Sequence, residues 1–525
     1  MQKEFERSAL KKYVYPMGGG VCIFLAFETY NILPLLFLLP FFLNGMRQLP
    51  LKNKLLGYWL MAIVTNVCGY HWISTVARDY GGMPGFAAWG LVLFFSVFNN
   101  LNFLLWAYLE RFFGEKSNPF IIAGLFCVAE QLNPQVFPWY FGTSLDSALI
   151  LYQTADLFGV VGLSFVAMTL IHIPWWVWQN RQTLFRENRA LFTAQAAFLT
   201  FIVVYGWWAL AKYDNQPGAV KKTVGVTLVQ SNTSMEKFYG ARLSYAEREE
   251  EFQNIVRISE KAISESPTKI DLLVWPEGSV HFPILNSPQI YQAIRDLARR
   301  QEVFLTAGSV EIGGKRASGR RIYYNTQFYL NPQGEIIGKY HKIVLLAFGE
   351  YIPFLETFPI IEKWLPSTIS HFTRGREKPV FAIHEKMHWL PLICYEDIIV
   401  GFIQGFEHRQ ADFMVNITND GWFGRSDASH LHKQMARPRT VEYRKPIVRA
   451  LNTGSSQVID AAGRTISKET AVYTRDFINV ELHVPENAPV TLYARIGNLP
   501  IYSLMVLVAV FWLRKKFFSK SSSKT

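Results

Sequence analysis

Apolar residues gather in residues 1–212 and again in 499–513, whereas 213–490 mixes short apolar runs with polar helical stretches and turns. The first region holds seven candidate spans, at about 15–29, 32–45, 55–77, 85–109, 118–135, 158–178 and 190–212. An eighth, GNLPIYSLMVLVAVFWL, lies at 497–513. A helix needs roughly 20 apolar residues to cross about 30 Å of hydrocarbon, and the first two segments fall short of that. The middle region opens on TVGVTLVQSN (223–232), continues in a helical pattern from Ala241 to about Ile263, and then presents the strand-like runs DLLVWPEGS, VFLTAGSV, IYYNTQFYL, WLPLICYE and DFMVNITND. Strands alternating with helices predict α/β layers around buried sheets. The expected organisation is a membrane domain over 1–212, a globular domain over 213–490, and a last span with a basic tail over 491–525.

Composition supports the membrane reading. Half of the 525 residues are hydrophobic, only 18% are charged, and there are 41 Phe and 15 Trp, too many for a single soluble domain. The formal charge of +12 then has a simple source. Placing the N-terminus in the cytoplasm puts Lys3, Arg7, Lys11 and Lys12 inside, followed by Arg47, Lys52 and Lys54, by Arg111 and Lys116, by Arg181, Arg186 and Arg189, and by the tail from Arg514. The short opposite loops offer little beyond Arg78, so the positive-inside rule agrees with eight spans and an external globular domain. These charges set topology and meet anionic lipid, and no nucleic-acid partner is inferred from them. No small-residue cleavage site separates the first two apolar runs, so a cleaved signal peptide is not expected.

Cys22, Cys68 and Cys127 fall in candidate spans, which leaves Cys394 alone in a domain facing an oxidising side, where structural cysteines normally pair. Cys394 and Glu277 each close an apolar strand, and between them lies YHKIVLLAFGEYIPF with Lys342 and Glu350. Taken singly, these are a buried thiol, a helix cap and a solvated lysine. Together they have a chemical logic: a carboxylate takes the thiol proton, and an ammonium lowers the thiol pKa and stabilises an oxyanion. That is acyl transfer through a thioester. The pairs His430 with His432 and His384 with His388 lack the further ligands of a zinc site, and no metal is expected. Glu130 and Gln131, near the outer end of a span, are read as interfacial or helix-bonding groups.

VWPEGS, the Lys342 segment and ICYED resemble the Glu-Lys-Cys signature of the nitrilase (carbon-nitrogen hydrolase) superfamily. Eight spans around such a domain are similar to the bacterial apolipoprotein N-acyltransferases, as are GGMPG (81–85), FPWYFG (137–142), FGEYIP (348–353), NITNDGWFG (416–424), HKQMARPRTVEYRKPIVRALNTG (432–454) and YARIGN (493–498). The resemblance implies an α-helical transmembrane bundle carrying a nitrilase-like αββα sandwich. It implies Cys394 as nucleophile, Glu277 as general base and Lys342 as oxyanion stabiliser. Glu350 would orient the lysine, and Tyr395, Glu396 and Phe238 would shape the substrate pocket. The implied reaction moves an acyl chain from a phospholipid to Cys394 and then to the α-amino group of a diacylglyceryl-cysteine at a lipoprotein N-terminus, without cofactor. The implied setting is a monomer in the bacterial inner membrane, with the catalytic domain periplasmic and both termini cytoplasmic. Two positions depart from the family pattern: Phe238 stands where a Trp is usual, and Leu346-Ala347 replaces Val-Pro before FGE. A membrane-anchored amidase, an acyltransferase with another amine acceptor and a non-enzymatic receptor are the alternatives; the receptor has no need of the three residues together.

Reporter fusions test the topology. A fusion at Asn215 is expected on the external side and one at Thr525 on the cytoplasmic side; the same side for both overturns the eight-span arrangement.

Overall fold

The computed structural model describes residues 10–518, except 28–29, 31, 80, 114–117, 214–220, 234–243, 316–320, 348, 352–371, 386, 407 and 487–489. The N-terminal region is helical: α1 (Tyr15–Phe24), α2 (Leu39–Arg47), α3 (Leu51–Gly69), α4 (Ile73–Asp79), α5 (Gly85–Asn99), α6 (Asn102–Phe113), α7 (Pro119–Leu132), α8 (Ala155–Asn180) and α9 (Arg189–Lys212). Among the described residues, three helical stretches, Gly85–Phe113 (α5 continued by α6), Ala155–Asn180 and Arg189–Lys212, are long and apolar enough to cross a membrane. A fourth span is made if α3 and α4 count as one, but they meet at 52°. The expected 55–77 segment is thus broken after Gly69, where the chain turns through Tyr70 and Trp72 and carries aromatic rings toward the globular layers. The 118–135 segment holds a helix of only 14 residues.

Not every basic residue of the expected cytoplasmic loops is solvated. Arg47 and Lys54 are buried, and both reach Glu110 on α6: Lys54 Nζ at 3.0 Å, Arg47 Nε at 3.2 Å, with the Tyr58 hydroxyl donating at 2.9 Å. A buried charge is tolerated only when paired, and Glu110 supplies the pair. Glu130 is also buried, its Oε1 accepting from the Phe141 N–H at 2.7 Å.

The globular region has two sheets. One runs in the order β11-β1-β2-β3-β4-β5 and the other β10-β9-β8-β7-β6, with β1 Lys221–Gln230, β2 Leu272–Val274, β3 Phe304–Lys315, β4 Arg321–Leu330, β5 Ile336–His341, β6 Phe381–Ile383, β7 Met387–Ile393, β8 Phe413–Thr418, β9 Ile447–Leu451, β10 Gln457–Ile459 and β11 Asp476–Pro485. Period-two alternation divides the first sheet. Val224, Val226, Leu228, Leu272 and Val274 share a core with Leu392 and Val415 of the second sheet, while Val229, Leu273 and Leu305 pack under α10 (Tyr245–Ser264) and α11 (Pro288–Gln301). On the other side α12 (Ala428–Ala436) and α13 (Pro438–Tyr443) bring Leu431, Met435 and Val441 into the same core as Trp106, Phe126 and Leu163 of the N-terminal helices. The chain closes with α14 (Leu492–Ile496) and the 20-residue α15 (Leu499–Phe518).

The two regions are joined by buried polar groups. Gly159 breaks α8 at φ 67°, and the Tyr493 ring occupies the place where a Cβ would sit. The Val160 N–H freed by that break is accepted by Glu442 Oε1 of α13 at 2.8 Å. Arg444, also buried and at φ 52°, donates to Asp156 Oδ2 at 2.9 and 2.7 Å and to the Gln153 side chain at 2.6 Å.

Removing Arg444 leaves Asp156 buried without its cation, a loss of about 3–5 kcal/mol. Arg444→Met is expected to lower the melting temperature of the detergent-solubilised protein by several degrees; an unchanged melting curve refutes this account of the joint.

Candidate active site

Strand ends deliver the predicted residues to one place. β2 lies between β1 and β3, parallel to both, and Glu277 follows its C-terminal end through Trp275 and Pro276. Gly308 of β3 passes so close beneath that a Cβ there would stand 2.7 Å from Glu277 Cα. Lys342 leaves β5 with its N–H bonded to the Asn325 carbonyl at 2.9 Å. Cys394 follows β7, which runs parallel to β8, and sits at φ 52°, a left-handed conformation unusual for a residue with a side chain. Asn416 of β8 holds it there: its Oδ1 accepts from the Cys394 N–H at 3.1 Å and its Nδ2 donates to the Cys394 carbonyl at 3.0 Å.

Lys342 is 2% exposed and its Nζ lies between two carboxylates, 3.2 Å from Glu277 Oε1 and 2.9 Å from Glu350 Oε1. Asn325 Nδ2 donates to the same two oxygens at 2.7 and 2.9 Å. The other oxygens are held as well, Glu277 Oε2 by the Asn419 N–H at 2.9 Å and Glu350 Oε2 by the Leu346 N–H at 2.8 Å. Burial opposes the charge on Lys342, but Glu277 and Glu350 overcome it and hold the ammonium well above the usual lysine range. Burial raises the Glu277 carboxyl, Lys342 pulls it down, Glu350 pushes it up again, and the outcome is a raised value. The Cys394 thiol is pushed well up by burial and by Glu277, with Lys342 opposing. It is therefore a protonated thiol at rest, beside a carboxylate poised to receive a proton.

Glu396 is wholly buried and staples the lysine segment to the strand that ends at Cys394. It accepts from the Ile343 N–H at 2.7 Å, the Val344 N–H at 3.0 Å and the Ile393 N–H at 2.9 Å, and the Tyr340 hydroxyl lies 2.8 Å from both its oxygens. Burial brings its carboxyl up to about 7 against the pull of those N–H groups. Tyr395 turns away from this network, its hydroxyl donating to the Val136 carbonyl and its ring 6.2 Å from Phe137. A small cavity of about 20 Å³ opens beside Cys394, lined by Trp72 and Phe137 from the helical region and by Phe423, Leu431 and Met435. A larger apolar groove of about 250 Å³ between α8, α9 and α15 holds none of these residues.

Glu277, Lys342, Glu350, Cys394, Tyr395 and Glu396 are thus brought together, whereas Phe238 lies outside the described residues. Asn325 was not foreseen; its only signal is an amide inside the aromatic strand IYYNTQFYL. Asn416 and Asn419 stand within NITND, but nothing in the spacing says that one grips Cys394 and the other Glu277. Among the described residues no group of three or more His, Cys, Asp or Glu is arranged to hold a metal ion.

Two paired sheets ending in this cluster define a carbon-nitrogen hydrolase domain, and residues 225–479 match that family (Carbon-nitrogen hydrolase). Residues 19–172 match the Apolipoprotein N-acyltransferase N-terminal domain. The apolipoprotein N-acyltransferase of Bdellovibrio bacteriovorus is 30% identical over 87% of this chain and 85% of its own, and that of Geobacter metallireducens 30% over 97% and 96%. The chain belongs to the apolipoprotein N-acyltransferase family. Among solved structures, an amidase from Nesterenkonia aligns at 17% identity with a TM-score of 0.38, covering 55% of this chain and 99% of that one.

Glu396→Gln sets an amide NH₂ against N–H donors. It is expected to slow acyl transfer by about 10²-fold, because the lysine segment and the strand end at Cys394 lose their shared anchor. Wild-type rates would show that the staple is dispensable.

Proposed function

We propose that this protein transfers an acyl chain from a phospholipid to the N-terminal amine of a diacylglyceryl-modified lipoprotein, in two steps through Cys394. Glu277 takes the thiol proton as the sulfur attacks the ester carbonyl. Lys342 faces the oxyanion, held in place by Glu350. The ester C–O bond breaks, Glu277 returns its proton to the departing lysophospholipid hydroxyl, and a thioester remains. The acceptor amine then attacks that thioester, Glu277 removes the amine proton, and the proton passes back to the departing sulfur. The reaction is ping-pong, and no cofactor takes part.

One observation carries this reading: Cys394, beside a buried ammonium held by two carboxylates, lines a small apolar cavity whose wall includes Trp72 and Phe137 from the turns of the helical N-terminal region. A water-soluble amide has no use for such a wall, whereas an acyl chain has. The domain division is read as 1–212, 213–490 and 491–525, with eight spans, the catalytic domain on the periplasmic face of the inner membrane and both termini cytoplasmic. Anchoring on both sides raises the effective concentration of two lipid-borne substrates.

Phospholipid alone is expected to leave a hydroxylamine-labile acyl group on Cys394 and to release about one equivalent of lysophospholipid per enzyme, a burst without turnover. A peptide with a diacylated N-terminal cysteine then discharges the adduct as an amide. Cys394→Ala forms no adduct; Glu277→Gln forms it about 10² to 10⁴ times more slowly, and Lys342→Ala about 10² to 10³ times more slowly. Continuous release of fatty acid without any amine would instead mark a hydrolase.

A further inference from the structure

The turn that carries Cys394 and the turn that holds Glu277 are bridged by a side chain that the acyl-transfer steps do not consume. His432 of α12 is 4% exposed, with Nε2 2.9 Å from Asp397 Oδ1 and Nδ1 2.9 Å from Asp420 Oδ1. Asp397 stands three residues after Cys394 in the same 3₁₀ turn, Cys394–Ile398. Asp420 follows Asn419, whose N–H is bonded to Glu277 Oε2 at 2.9 Å. We propose that His432 is a positioning residue for the acyl transfer, a buried imidazolium that ties the nucleophile turn to the base turn.

The geometry requires the charge. A neutral imidazole has one N–H and satisfies one of two carboxylates; the other would face a lone pair. The remaining aspartate oxygens already accept, Asp397 Oδ2 from Arg449 Nε at 3.0 Å and Asp420 Oδ2 from the Ser429 hydroxyl at 2.7 Å. Two carboxylates facing Arg449 and His432 balance only when the histidine is protonated. Other charges on the elements around α12 have partners of their own: Arg439 pairs with Glu442 at 2.9 Å, Lys433 reaches Glu469 at 3.2 Å, Arg437 donates to the Asp146 carbonyl at 3.3 Å, and Glu396 is held by Tyr340. Burial alone would push the imidazole down; Asp397 and Asp420 outweigh it and bring His432 from the ordinary 6.5 up to about 9. Burial would also raise Asp397, but His432 and Arg449 hold it below the usual range. Because the folded value of His432 lies above the ordinary one, its contribution is complete below about 6.5 and is lost as the pH rises through about 9.

The proposal rests on the acyl-transfer reading, and two measurements separate the two. In the full-length protein in detergent, labelled with ¹³C,¹⁵N-histidine, the His432 signal, assigned by its absence in His432→Gln, is expected to be that of an imidazolium at pH 7; a neutral tautomer there overturns the proposal. In single-turnover acylation by phospholipid, His432→Gln is expected to reduce the maximal rate about 10²-fold with half-saturation unchanged. His432→Arg, which keeps a cation with several donors, should regain at least about tenfold of that loss and abolish the wild-type decline near pH 9. A wild-type rate in His432→Gln, or an unchanged alkaline decline in His432→Arg, refutes the positioning role. If neither variant folds, the signal is assigned instead by labelling Leu, His and Lys together, since Leu-His-Lys occurs once, at 431–433, and the wild-type spectrum decides; if the wild type forms no adduct, it is the acyl-transfer reading that fails, and the spectrum still judges the charge.

Discussion

Burying the Lys342 ammonium is costly unless negative charge stands beside it, and much of the catalytic region is arranged to meet that requirement. Glu277 and Glu350 supply the charge, and Asn325 keeps the two carboxylates from facing each other without a donor between them. The same balance sets the chemistry. Burial and the neighbouring Glu277 together push the Cys394 thiol up, with Lys342 opposing, so it rests protonated.

Holding that balance requires fixed loops, and each is fixed from a different direction. Glu396 joins the Lys342 segment to the end of β7, Asn416 grips both backbone polar groups of Cys394, and Asn419 reaches Glu277. These groups are buried and bonded, which makes the turns stiff despite the positive φ at Cys394.

The catalytic layers do not stand apart from the helices. Gln434 accepts from the Trp139 indole at 3.1 Å, Tyr395 donates to Val136, and Arg444 and Glu442 dock on the broken start of α8. Because the cavity beside Cys394 takes part of its wall from Trp72 and Phe137, this docking also sets the shape of that cavity. A soluble domain with the same three residues would lack that wall.

Much of this was legible along the chain. Continuous apolar runs closing on Glu277 and Cys394 announced the strands and the residues at their ends, because a strand buried on both faces must be apolar and its polar groups must wait for the turn. Cys394 stood out in sequence as the one cysteine outside the candidate spans. What only the tertiary structure decided are the contacts between turns far apart in sequence: Asn325 between two carboxylates, Asn419 on Glu277, and His432 between Asp397 and Asp420. Local pattern carries no record of such pairings, since they depend on which strands are neighbours and in what register. The break after Gly69 escaped the hydropathy pattern for the same reason: apolar character reports that a segment is buried or in lipid, while its direction is set by what it packs against.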